Sequence, residues 1–99
     1  MDSYRVALGV GPLLPGSRPD DVLPAAASAA RATTTVESFD VAIVRGRARI
    51  NVRFVARGND EAVVIASRVH AAVGELADVT DSDLARRSGP RWHPVFWSL

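Results

Sequence analysis

The sequence predicts one small α+β domain in which two helices cover one face of an antiparallel sheet. Three observations carry that reading: a period-two apolar alternation from Tyr4 to Val10, a second alternation from Phe39 to Val55 interrupted only by Arg45-Gly46, and an apolar stripe of helical period from Ala62 to Leu76. With 99 residues, 47% hydrophobic and 23% charged, the chain has the size and composition of a single globular domain spanning residues 1–99.

Tyr4, Val6, Leu8 and Val10 fall on one side of the first strand, Arg5, Ala7 and Gly9 on the other, and the segment from Gly11 to Gly16, with Pro12 and Pro15, is expected to break it. The Ala-rich run from Asp21 to about Thr33, with acids at its start, predicts the first helix. Pro24 is tolerable only in the first turn, so the helix is expected to begin near Asp20. If Arg45-Gly46 is the turn of a tight hairpin, Phe39 faces Val52, Val41 faces Ile50 and Ile43 faces Ala48, which gathers every apolar side chain on one face. A slip of one residue would mix the faces.

Asn59, Asp60 and Glu61 offer a cap and two acids ahead of the stripe Ala62, Ile65, Ala66, Val69, Val73 and Leu76, the second helix. Thr80 to Arg87 is polar apart from Leu84 and Ala85 and reads as a short edge strand. After a turn at Ser88-Gly89-Pro90, Arg91 to Trp97 can add an extra C-terminal strand, which Pro94 confines to an edge. This order of elements resembles the ferredoxin-like βαββαβ plan, the split βαβ topology with both helices on one sheet face. The resemblance is one of topology over nearly the whole chain, and that architecture hosts enzymes, sensors, RNA binders and assembly proteins.

Composition excludes several chemistries. There is no cysteine, hence no disulfide, thiolate nucleophile or Cys-built metal site. His70 and His93 have no partner at a spacing suited to a metal or a relay, and His70 is read as a surface histidine. Gly9-Val10-Gly11 lacks the third glycine of a dinucleotide fingerprint, since position 14 is Leu, and is read as a loop exit. No metal, cofactor or catalytic residue is assigned. The N-terminus is not leader-like and no apolar run approaches a membrane span, so a cytoplasmic protein without membrane contact is expected.

What stands out is a surface. All twelve basic residues are Arg, and net charge is only +1. The hairpin register puts Arg47, Arg49 and Arg53 on the sheet face away from the helices, with Arg5 on the first strand and Asp40 offsetting them. Asp81 and Asp83 project from one face of their strand. Arg91, Trp92, Phe96 and Trp97 concentrate aromatic rings at a chain end, and these must fold back on the chain's own sheet or dock on another subunit.

The expected function is therefore a non-enzymatic, self-associating interaction or assembly module, a homodimer or the partner of another protein. Arg47, Arg49, Arg53, Arg91, Trp92, Phe96 and Trp97 are its interface or ligand candidates. One alternative is a dimeric α+β barrel that binds a small molecule or acts as a cofactor-free enzyme, with Arg49, Arg53 and Trp92 in its pocket. A weak nucleic-acid binder using Arg45, Arg47, Arg49 and Arg53 ranks last: the charge is near zero, and unlike the RNA-recognition domain of this topology, the outward positions of the central strands hold no aromatics.

Overall fold

A computed structural model describes residues 1–97. The chain runs β1 (Asp2–Leu13), α1 (Pro19–Arg31), β2 (Val36–Val44), β3 (Arg47–Ala56), α2 (Asn59–Gly74), β4 (Ala77–Ser88) and β5 (Arg91–Val95). The five strands form one antiparallel sheet in the order β2-β3-β1-β4-β5, the ferredoxin-like arrangement with one strand added at the β4 edge.

The β2–β3 register is the one the alternation requires: Phe39 opposite Val52, Val41 opposite Ile50, Ile43 opposite Ala48. Its two-residue turn has positive φ at both Arg45 (53°) and Gly46 (77°), the condition for a turn whose twist matches the flanking strands. Tyr4, Val6 and Leu8 of β1 and Ile50, Val52 and Phe54 of β3 pack beneath Ala26 and Ala30 of α1 and Ile65, Ala66, Val69 and Val73 of α2. Alanines on α1 let that helix approach the sheet closely. On β2 the expectation is only half met. Phe39, Val41 and Ile43 share the helix side but remain exposed: α1 borders the edge strand without burying them, and the Arg31 guanidinium lies 4.9 Å from the Phe39 ring.

Several local expectations are corrected. β1 does not end at Gly11; it continues to Leu13, with register shifts against β4 at Gly9/Val10 and Val10/Leu13 absorbing the glycines as bulges. α1 begins at Pro19, so Pro24 lies beyond the first turn. Pro24 and Asp20 are both exposed, and water can take the carbonyl that Pro24 leaves unbonded. The α2 cap is Gly58, without a side-chain bond; Asn59 instead accepts a 2.8 Å hydrogen bond from the Tyr4 hydroxyl, tying α2 to β1. β4 is no edge strand: it spans 12 residues and is flanked by β1 and β5, leaving β2 and β5 as the edges.

Candidate functional site on the open sheet face

The helices leave one face of the sheet uncovered, and strand alternation decides what stands there. Rows running across the strands place Asp40, Asn51, Ala7 and Asp83 in the middle, Ala42, Arg49, Gly9 and Asp81 toward the β2–β3 turn, and Arg53, Arg5, Ala85 and Pro94 toward the other end. Two polar constellations result.

The first is a clamp. Arg49 on β3 reaches across β1 to β4, where its two terminal nitrogens bond Asp81 at 2.7 Å and Asp83 at 3.1 Å. The strand between contributes Gly9, directly opposite both Arg49 and Asp81, and its bare Cα leaves the space into which the Asp81 carboxylate turns to meet the guanidinium. A Cβ there would collide with Asp81 Oδ1 and lie 2.5 Å from Thr80 Oγ1. The hydrogen bond from Arg49, supported by a second from Thr80, holds the Asp81 carboxyl below its ordinary value of 3.8, and the same bond raises the already high Arg49. Asn51 donates to Asp40 at 3.0 Å beside the clamp. The two acids therefore share a cation and do not form an isolated carboxylate pair.

The second constellation is built on Trp92. It stands opposite Arg87 in the β4–β5 pairing, and its ring is flanked by guanidinium carbons of Arg5 at 4.7 Å, Arg53 at 5.2 Å and Arg87 at 6.0 Å from its centroid. Arg5 and Arg53 lie on β1 and β3, and Ala85, on the strand between Trp92 and Arg5, is small enough to leave room for the indole. Positive charge over the electron-rich ring face is favourable, by about 0.5–1 kcal/mol at exposed sites and more where water is excluded. The Arg53 Nε is buried with no hydrogen-bond partner among the described residues.

Of the candidates taken from the sequence, the structure brings together Arg53 and Trp92. Arg49 is committed to Asp81 and Asp83, Arg47 is exposed beside the hairpin turn, and Arg91 is exposed at the start of β5. Trp97 packs against the chain's own core, whereas Phe96 is 93% exposed. The outward face does carry an aromatic ring, Trp92, supplied by the extra strand. His70 is not a free surface histidine: it is half-buried, with Nδ1 2.7 Å from Ser82 Oγ on β4. Arg87 was missed as a member of the Trp92 cluster. Its signal was available, because a two-residue Gly89-Pro90 turn, with positive φ at Gly89, sets Arg87 opposite Trp92.

Shallow concavities follow the two constellations. One of about 260 Å³ lies mid-face between Arg5, Ala7, Ala42, Arg49 and Asp83. Another of about 360 Å³ adjoins Trp92, with Arg5, Asp83, Ala85, Pro94 and Phe96 in its wall.

No family model and no curated protein matches the chain. Among solved structures it is similar to the "Crystal structure of Putative Chlorite dismutase TA0507", with a TM-score of 0.48 and 18% identity over 87% of this chain. The chain spans 42% of the length of that structure.

Proposed function

We propose that the protein is a self-associating module whose open sheet face packs against the same face of a second copy. The observation that carries this reading is the Arg49 clamp. Charges resist burial because they lose water, but Arg49 already donates to Asp81 and Asp83, and Asp40 already accepts from Asn51, so covering the middle of the face strands few charges. Around them stand small or apolar side chains, Ala7, Ala42, Val44 and Ala85, which a flat partner can approach. Five strands spaced about 4.8 Å apart and some six residues long present roughly 500 Å² per copy. Two such faces reach the lower bound of about 1,000 Å² for a specific interface. Association in the micromolar range is the matching expectation.

Light scattering coupled to size exclusion tests this over a concentration series. The expected result is a dimer mass at tens of micromolar that falls to the monomer in Ala42→Arg and Val44→Asp. A monomer throughout the series, or a dimer indifferent to both substitutions, removes the proposal.

The mid-face concavity supports a second reading, a dimeric α+β barrel that encloses a small-molecule pocket. Two apposed copies would close the concavity beside Arg49 from above. A crystal structure of the dimer with the two faces packed and no space between them would eliminate it.

A further inference from the structure

The Trp92 cluster gathers three cations around one ring, whereas the clamp sets one Arg between two acids. Arg5, Arg53 and Arg87 all lie within 6.0 Å of one ring centroid, and none of the three forms an ion pair among the described residues. Arg87 Nε donates to the carbonyl of Gly89, while Arg53 Nε is buried and donates to nothing there. A buried donor without an acceptor is costly, and three like charges beside a ring repel one another. Both costs disappear if an oxyanion accepts from the guanidinium forks. Contact with a ring uses no N–H group, so apart from the Arg87 Nε that bonds Gly89 the guanidinium donors keep the planar fork that carboxylate and phosphate oxygens match.

Space for such a ligand adjoins the cluster. The concavity of about 360 Å³ is lined by Arg5, Trp92, Pro94 and Phe96, with Asp83 also in its wall, while Arg53 and Arg87 lie outside it against the Trp92 ring; an apolar body can lie along the rings with its anionic end at the Arg5 side, next to the guanidinium cluster.

We infer that Arg5, Arg53 and Arg87, arrayed on Trp92, form a binding site for an oxyanion, the carboxylate or phosphate end of a small organic molecule. All four residues come from one chain, so the site is complete without a second copy; it lies on the face that the proposed dimer would cover, and a variant that stays monomeric leaves it open.

The test is a two-dimensional ¹H–¹⁵N NMR titration of the full chain at constant ionic strength, following the indole N–H of Trp92, which Trp92→Phe identifies. Inorganic phosphate, acetate and benzoate are the probes. The expected result is a saturable shift of the Trp92 signal. Arg53→Gln and Arg87→Gln should each weaken binding about tenfold or more, as loss of a charge-assisted hydrogen bond does, while Arg47→Gln leaves it unchanged. Arg87 is exposed, so its variant keeps the fold even if Arg53→Gln disturbs it. Saturation by phosphate alone identifies a phosphate site, and saturation by acetate and benzoate a carboxylate site. Shifts that grow linearly for all three probes, or that Arg87→Gln leaves unaltered, overturn the inference. Repeating the titration on Ala42→Arg separates this outcome from any failure to dimerise.

Discussion

Arg49 and Asp81 stand on strands that are not neighbours, yet their side chains meet at 2.7 Å above the Cα of Gly9. β1 separates β3 from β4, and any side chain on β1 at that level would occupy the path. A glycine in mid-strand weakens a sheet by the entropy it loses and the packing it lacks. Here the cost is offset by an ion pair with a bidentate donor.

The first prediction follows from that geometry. Gly9→Val should lower stability by about 1–3 kcal/mol even though valine favours strands, because its Cβ displaces the Asp81 carboxylate and the Thr80 hydroxyl. Urea unfolding checks it. Combined with Asp81→Ala, which removes the nearer of the two obstacles, the same substitution should cost less; equal losses in both backgrounds would show that the crossing is not the cause.

Asp81 gives a pH dependence with a definite sign. Its carboxyl titrates below 3.8 in the folded chain, chiefly because Arg49 donates to it, so the unfolded chain takes up the proton first as pH falls. The stabilisation is complete above about pH 4 and disappears as pH drops through the lower folded value. Asp81 is half exposed, so solvent screening keeps the effect at about 1 kcal/mol or less. Thermal unfolding between pH 2 and pH 6 should show this acid limb flattened in Asp81→Asn and reduced by added salt.

Much of this frame was legible in the sequence. The β2–β3 register could be read because one face is buried and the other polar, so only one alignment of Phe39 to Val55 sorts the side chains. The open face inherited its Arg residues from that register. What could not be read required knowing which strands lie side by side. Gly9 looks like an ordinary glycine near the end of a strand until β3 and β4 are placed on either side of it, and Thr80 to Arg87 looks like an edge until β5 pairs with it. The exposure of Val41 and Ile43 depends on where the helices end across the sheet, which no local period encodes.

Tyr4 governs the alkaline side. Burial raises its phenol above 10.0, with nearby Arg86 pulling it down and Asp2 pushing it up. Its neutral form is the one the fold accepts: it stacks on Phe54 and donates to Asn59 Oδ1. Stability should hold below pH 10 and fall as pH climbs through the raised folded value. Tyr4→Phe should lose about 1 kcal/mol at neutral pH, the hydrogen bond alone, since the exposed Asn59 can turn to water. In return its alkaline limit should move upward, which denaturation midpoints at pH 8 and pH 11 would reveal.

Trp92 anchors β5, and its contribution is separable from that of the tail beyond. β5 is five residues long, begins at exposed Arg91 and includes Pro94, which cannot donate to the ladder, so backbone pairing alone holds it weakly. The indole adds ring burial over Ala85 and favourable contact with three guanidinium groups. Trp92→Ala should therefore cost about 2 kcal/mol and release the β5 amides to rapid hydrogen exchange. Those of β1 and β3 should stay protected. Trp92→Phe keeps an apolar ring with a weaker cation attraction and should lose less than half as much. Phe96→Ala, at a residue 93% exposed, should change neither stability nor exchange in the single chain. If Trp92→Ala left β5 exchange unchanged, the Gly89-Pro90 turn and the packing of Trp97 on the core would have to hold the strand instead, and the stacked guanidinium groups would be spectators of β5 order.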